Sequence, residues 1–338
     1  MKAIVLRGGD TVTLEDRPSP DARPGEVLVR PDHVGICGTD LHAPLLKDLF
    51  VPDVVMGHEF SGEVVDVAPG VEGWRPGDRV TINPNGDVCG ECDQCRAGRP
   101  NLCKPTVRGN AIGVHRDGGM AGLVSLPPAV LHRLPDGVSG LRGAFVEPLA
   151  VTVHLVRVAG FKLGGRAVVL GAGPIGLLTT QVLRRAGASH IAVVEPSSSR
   201  REMASRLGAD VVIDPGADDP SALFGGDLPA PDHVFECAGI PSGVRTAIAI
   251  VKPAGTVAVV GICPEPLEMD VSDLIFKEAV IRGSIIYVEE FPAAIRLLEQ
   301  GAIDVETMIT RVMDLDDYDE AFALLAQPDE SVKILLRP

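Results

Sequence analysis

The chain has 338 residues, 45% hydrophobic and 23% charged, a composition that excludes disorder as the main state and leaves room for two domains of roughly 100–200 residues. Its 31 Lys and Arg against 46 Asp and Glu give a formal net charge of −15, which repels nucleic-acid phosphates and anionic headgroups, so neither nucleic acid nor a membrane is an expected partner. No apolar run approaches about 18 residues without a charge or breaker, and the opening MKAIVLRGGD is too short for a signal-peptide core; the expected compartment is the cytoplasm.

Up to about Ala144 the chain reads as short extended runs, residues 3–6, 26–29, 62–67 and 78–82, punctuated by glycine and proline. β-Branched residues in such runs predict a compact, mostly antiparallel β domain with few helices. Four of the seven cysteines fall in one loop as Cys89-x2-Cys92-x2-Cys95-x7-Cys103. In a cytosolic chain this clustering points to metal rather than to disulfides. Four thiolates can close a tetrahedral zinc site with no open position, which would be structural; an iron–sulfur cluster and four free thiols are the rival readings.

A second group is scattered: Gly35-Ile36-Cys37-Gly38-Thr39-Asp40-Leu41-His42, then Gly57-His58-Glu59, then Val146-Glu147-Pro148-Leu149. Taken singly, Cys37 or His58 reads as an ordinary core residue. Together with Glu59 and Glu147 they offer one thiolate, one imidazole and two carboxylates, which suits zinc with three protein ligands and one position for water or substrate.

From about Glu147 buried strands alternate with helical patterns. Apolar runs at 167–170, 191–194, 211–213, 234–235, 256–260 and 279–282 predict six parallel strands, with helices such as 175–185 and 200–207 between them, hence a doubly wound sheet. Helices over 291–300 and 318–326 and a strand over 331–336 complete the chain. After the first of the six strands comes Gly171-Ala172-Gly173-Pro174-Ile175-Gly176, a G-x-G-x-x-G between strand and helix that marks a dinucleotide site. Gly171 permits the turn, Gly173 lets backbone approach a pyrophosphate, and Gly176 lets helix pack on strand; the competing reading is a tight turn without a ligand. Glu195 ends the second strand, where a carboxylate accepts from the adenosine ribose hydroxyls and repels a 2′-phosphate, favouring NAD. Arg200 and Arg201 lie close enough in sequence to keep NADP as the alternative.

The GICGTDLH, GHE, four-cysteine, EPLA and GAGPIG segments occur in the order and spacing of the zinc-dependent medium-chain dehydrogenases, and the resemblance runs from Met1 to Pro338. Glu147, where ethanol-type relatives carry cysteine, makes the chain similar to the sorbitol, butanediol and other polyol dehydrogenases; CGTDLH is also like threonine 3-dehydrogenase. The resemblance implies an α/β protein with a GroES-like β catalytic domain, 1–148 and 284–338, and a Rossmann domain, 149–283. It implies two zinc ions per subunit, NAD or NADP, and a homodimer or homotetramer.

Residue by residue, Cys37 and His58 resemble the constant ligands of the catalytic zinc, with Glu147 and Glu59 competing for the third place. Asp40 would orient the His58 imidazole, and Lys333 would pair with Glu59 behind the metal. Thr39 and His42 resemble the relay that passes the alcohol proton to solvent; a plain surface role is the alternative for His42. The implied reaction interconverts a secondary alcohol, such as a polyol, cyclitol or vicinal diol, and its ketone by hydride transfer. The alternatives are an amino alcohol dehydrogenase like threonine 3-dehydrogenase and a non-catalytic protein that binds zinc and nucleotide. One segment departs from the family: Gly118-Gly119-Met120-Ala121-Gly122-Leu123 stands where relatives carry an aromatic and then Ala-Glu-Tyr, which leaves the local packing open. The loop 43–55 helps to shape the substrate mouth in this family.

Overall fold

The computed structural model describes residues 1–46, 49–104, 109–263 and 265–338; residues 47 and 48 of the loop 43–55 lie outside the described residues. The first part of the chain forms β1 (Lys2–Arg7), β2 (Thr11–Asp16), β3 (Val27–Gly35), β4 (Val54–Val55), β5 (Glu59–Val67), β6 (Arg79–Ile82), β7 (Val124–Leu126) and β8 (Leu131–Arg133). Two short helical turns, α1 (Gly38–Leu41) and α2 (Asp93–Arg96), lie among them. The strand pairings here are antiparallel, and inward residues such as Ile4, Val29, Phe60, Ile82 and Met120 close one core.

The departing segment 118–123 is packed without its ring. Gly118 N–H donates to the Val55 carbonyl at 2.8 Å and Met120 N–H to the Met56 carbonyl at 2.9 Å. A Cβ on Gly119 would lie 2.4 Å from the Phe60 ring, and one on Gly118 2.2 Å from the Gly57 oxygen. Close backbone approach and the buried Met120 pack this segment without an aromatic ring.

The longest helix, α3 (Val146–Val158), has no counterpart in the sequence reading, because VEPLAVTVHLVRV is rich in β-branched residues and contains proline. Pro148 falls in the first turn, where a missing N–H costs no intrahelical bond, and burial of most of the helix overrides weak propensity. It leads into β9 (Arg166–Leu170), β10 (His190–Val194), β11 (Val211–Ile213), β12 (His233–Glu236), β13 (Thr256–Val259) and β14 (Val280–Gly283). These pair in parallel in the order β11-β10-β9-β12-β13-β14, matching the six predicted strands. Helices α4 (Pro174–Arg185), α5 (Ser198–Arg206), α6 (Pro241–Ile250) and α7 (Ser272–Lys277) connect them. Val169 points into a core with Leu155, Leu177 and Phe235, whereas Val168 and Leu170 face Ala192, Val234 and Val257. Both faces of the sheet are therefore covered, as parallel strands require.

After α8 (Phe291–Glu299) come β15 (Ile309–Asp314), α9 (Tyr318–Leu325) and β16 (Lys333–Arg337). β16 lies between β15 and β3 in the sheet order β15-β16-β3-β5-β6-β8, with β7 also on β3. The tail is thus an inner strand of the sheet begun by the head. No helix among the described residues is long and apolar enough to cross a membrane.

Candidate active site and metal centres

The ladder of β3 and β5 sets Gly35 opposite Glu59. Just beyond Gly35 the chain turns into α1 with Cys37 as its N-cap, and the Cys37 N–H donates to Asp40 Oδ2 at 2.9 Å. One strand end thus delivers a thiol and its neighbour an imidazole and a carboxylate. Ligand atoms of Cys37, His58 and Glu59 all lie within 4.8 Å of one another.

Lys333 arrives from β16, pairs with Glu59 and donates to the Ile36 carbonyl at 2.9 Å. A Cβ on Gly35 would lie 2.6 Å from Glu59 Oε2 and 2.8 Å from Lys333 Cε, so a bare glycine makes room for the pair. Burial works against the Lys333 charge, but Glu59 and then Cys37 outweigh it and hold the ammonium protonated. Asp40 is fully buried, and its Oδ1 sits 3.5 Å from His58 Nδ1, with neither atom hydrogen-bonded. Burial also opposes a charged His58, yet Asp40 and Cys37 push the imidazole well above its ordinary value. The surrounding field is negative, and a buried thiol, imidazole and carboxylate with orphaned polar atoms beside them fit a cation such as zinc.

Glu147 occupies the first turn of α3 and is buried. It lies outside the 4.8 Å group but close enough to feel it: burial, then the Glu59 charge, lift its carboxyl to about 7, against the opposing pull of His58, Tyr287 and Lys333. Of the two carboxylates expected to compete for the metal, the structure gathers Glu59 with Cys37 and His58 and sets Glu147 beside them. The Cys37 thiol is 3.6 Å from Thr39 Oγ1. His42 is exposed at the end of α1, one helical turn from Thr39.

Cys89, Cys92, Cys95 and Cys103 form the second group within 4.8 Å. Cys89 Sγ lies 3.5 Å from Cys103 Sγ and 3.9 Å from Cys95 Sγ, close to the edge of about 3.8 Å that Zn–S bonds of about 2.3 Å impose on a tetrahedron. The spacing suits one ion and is too tight for a cluster whose cysteines bind different irons. Cys92 is the N-cap of α2. The backbone amide of Cys95 lowers its thiol first of all, with burial opposing.

At the carboxyl end of β9, Gly171 has φ +93° with Ala238 packed against it, a conformation that favours glycine. Gly173 has no atom within 4 Å of where a Cβ would stand, whereas a Cβ on Gly176 would be 1.9 Å from the Gly171 oxygen. Pro174 and Ile175 open α4, so the amides of its first turn face the space over Gly173. Glu195 is buried and already holds two amides: Oε2 accepts from Ala172 N–H at 2.6 Å and Oε1 from Ser197 N–H at 3.0 Å. Arg200 donates to the Ser331 carbonyl at 2.8 Å. Arg201 pairs with Asp214 at 2.9 Å. Both guanidiniums are committed within the protein.

The sequence offers no signal for Tyr287. It follows β14, is 3% exposed, and its phenol accepts from Asn85 Nδ2 at 3.2 Å. Burial, then the Glu147 charge, hold that phenol well above its ordinary value.

Family models describe residues 23–136 as an alcohol dehydrogenase GroES-like domain and residues 174–300 as a zinc-binding dehydrogenase. The chain is 36% identical over 357 residues to the (R,R)-butanediol dehydrogenase of Bacillus subtilis (strain 168), covering 100% of both chains. It is 36% identical over 349 residues to the sorbitol dehydrogenase of Gallus gallus, covering 100% of this chain and 96% of that one. A zinc-binding dehydrogenase from Sinorhizobium meliloti 1021 bound to NADP superposes with a TM-score of 0.93 at 36% identity, covering 100% of this chain and 99% of the other. With a thiol–imidazole–carboxylate group, a four-cysteine group and a glycine turn in one chain, the protein belongs to the zinc-dependent medium-chain alcohol dehydrogenases, in their polyol branch, and is an NAD(P)-dependent oxidoreductase of secondary alcohols.

Proposed function

We propose that Cys37, His58 and one of Glu59 and Glu147 hold the catalytic zinc, that Cys89, Cys92, Cys95 and Cys103 hold a structural one, and that the substrate is a vicinal diol or other polyol. The observation that carries this reading is the grouping of Cys37, His58 and Glu59 within 4.8 Å, with Glu147 beside it. The domains would divide as 1–148 with 284–338, and 149–283. Bound there, zinc supplies a Lewis acid that acidifies the alcohol, and the nicotinamide supplies the hydride acceptor.

The protein's own groups do the rest. Asp40 orients His58 from behind, and Lys333 holds Glu59 in reserve close to the metal. Thr39 Oγ1 takes the alcohol proton and passes it towards His42, whose exposed ring exchanges with water. Gly171, Gly173, Pro174, Ile175 and Gly176 cradle the pyrophosphate, while Glu195 meets the ribose. Because a carboxylate stands where a 2′-phosphate would come and Arg200 and Arg201 are committed elsewhere, the preferred cofactor is NAD rather than NADP. In β14, the free edge of the parallel sheet, Val280 and Ile281 are exposed, as are the nearby Ile275 and Phe276. Such an edge invites pairing with a second copy, so the assembly would be a homodimer, or a homotetramer of two such pairs, in the cytoplasm.

A panel of vicinal diols, sugar alcohols, cyclitols and amino alcohols, offered with NAD+ and with NADP+ and followed by nicotinamide absorbance, tests the reading. The expected result is turnover of diols or polyols with the higher kcat/KM on NAD+. Preference for a threonine-like amino alcohol would move the protein to that substrate class, and zinc and nucleotide binding without turnover of any alcohol or ketone would overturn the catalytic reading.

A further inference from the structure

We propose that Glu236 is a positioning residue for the nicotinamide half of the dinucleotide: it clasps the turns that follow β12 and β13 and fixes them at the edge of the cofactor crevice. This rests on the reading of the glycine turn after β9 as the dinucleotide site.

The sheet order places β10 on one side of β9 and β12 on the other, so the winding of the chain reverses between β9 and β12. A doubly wound sheet binds its ligand in the crevice at that reversal, beyond the carboxyl ends of the strands. Glu195 follows β10 and stands on the adenosine side. The turn after β12 is the opposite lip. There Cys237 N–H donates to the Leu170 carbonyl at 2.9 Å, and Ala238 packs against Gly171. With the pyrophosphate over Gly173 and the adenosine ribose at Glu195, the other half of the dinucleotide falls on the β12 and β13 side.

Glu236 is the last residue of β12 and has no exposed surface. Its Oε1 accepts the Ala238 and Gly239 amides at 3.0 and 2.9 Å. Its carbonyl accepts the Val260 and Gly261 amides at 3.1 and 3.2 Å, so one residue holds both turns. A Cβ on Gly243 would lie 2.7 Å from Oε1, one on Gly261 2.7 Å from Oε2, and one on Gly239 2.8 Å from the Ile262 oxygen. The two turns therefore meet backbone to backbone, with the carboxylate wedged between them and the first turn of α6. That helix has no side-chain cap at Ile240, and the carboxylate supplies the negative charge that a helix start favours. The start of α6 is thus occupied from within, whereas α4 leaves its first amides to an anion. Among the described residues Oε2 has no hydrogen-bond partner, so the side chain grips its turn through one oxygen alone. Hydride transfer needs the ring set against the alcohol, and a misplacement of about 1 Å costs about 100-fold. Glu236 acts through the backbone it holds and touches no reacting atom.

Binding to the zinc-saturated protein, without alcohol, is compared for ADP-ribose, which lacks the nicotinamide, and for NADH, whose ring fluorescence reports its surroundings. Glu236→Ala should raise Kd for NADH about tenfold and leave that for ADP-ribose within about threefold, with the emission of bound NADH moved towards that of the free form. Its kcat should fall about 10–100-fold with KM for the alcohol little changed. Glu236→Gln keeps the single acceptor oxygen and should restore both binding and kcat. Gly261→Ala drives a Cβ at Oε2 from the neighbouring turn and should weaken NADH in the same way, which keeps the test decisive should Glu236→Ala fail to fold. Equal weakening of ADP-ribose and NADH, unchanged NADH binding and emission, or a Gln variant no better than the Ala one would overturn the positioning role. Glu195→Ala separates the layers. If it weakens both ligands while Glu236→Ala weakens neither, only the Glu236 inference falls; if it weakens neither ligand, the dinucleotide reading of the crevice beneath it falls too.

Discussion

Lys333→Met isolates the charge behind the group of Cys37, His58 and Glu59. Lys333 is 1% exposed and Glu59 2%, so removing the ammonium leaves a carboxylate inside the protein with its cation gone. Breaking one partner of such a pair costs about 3–5 kcal/mol. The Ile36 carbonyl, which accepts from the same ammonium at 2.9 Å, adds about 1 kcal/mol for its lost hydrogen bond. The expected loss is therefore about 4–6 kcal/mol, a large share of the roughly 5–15 kcal/mol that holds a protein folded. The double variant Glu59→Gln/Lys333→Met carries no buried charge at this point and should recover all but about 1–2 kcal/mol, since a neutral pair of similar volume often matches a buried ion pair. Urea unfolding followed by fluorescence is well placed to see this, because the single tryptophan, Trp74, packs against the same core. Both variants are measured with zinc saturating and again after chelation. If the double variant is as unstable as the single one, the destabilisation comes from lost packing and the electrostatic account is wrong.

Cys37→Ser should abolish turnover with an unfolding midpoint near that of the parent, whereas Cys95→Ser should lower the midpoint first and activity only in consequence. Equal thermal shifts for the two would refute the division into catalytic and structural zinc. Glu195→Ala should raise KM for NAD+ about tenfold or more while leaving KM for the alcohol alone, and a change confined to the alcohol would contradict the ribose assignment. Burial pushes the Glu290 carboxyl up, but the His154 contact and the Val288 amide outweigh it and hold it below its ordinary 4.5. Its stabilising contribution is complete above about pH 4.5 and fades as the pH falls through the lower folded-state value. Urea midpoints of the parent and Glu290→Gln should differ at pH 7 and converge under acid; a gap that stays constant with pH would count against this. Phe276→Asp should shift sedimentation towards the monomer if the β14 edge pairs two copies, and an unaltered sedimentation coefficient would remove that edge from the assembly.

Much of the architecture is readable from local pattern. The six parallel strands are apolar runs too short for helices and bounded by breakers, so burial on both faces leaves its mark on composition. The GHE and four-cysteine segments are equally legible, since their chemistry depends on near neighbours in sequence. What escapes is held by tertiary context. α3 goes unread in the sequence because Val146, Val151, Val153 and Val156 are poor helix formers in isolation. Tyr287 and Asn85 sit 202 positions apart in no motif, and only the folded chain brings them together. Glu195 illustrates a third case. Its place at the strand end is predictable, yet its grip on the Ala172 and Ser197 amides depends on how two separate loops meet.

The position of β16 also bears on the order in which the molecule matures. The contact of Lys333 with Glu59 closes a span of 274 residues, and the strand that carries it is wedged between β15 and β3. Contacts so distant in the chain form late, because their loop entropy is recovered only after the intervening chain is ordered. The six-stranded sheet is made of successive strand–helix units and belongs to that intervening chain. Folding is therefore expected to complete the glycine turn after β9 before the contact of Lys333 with Glu59, so that the group of Cys37, His58 and Glu59 is closed off only by the final strand.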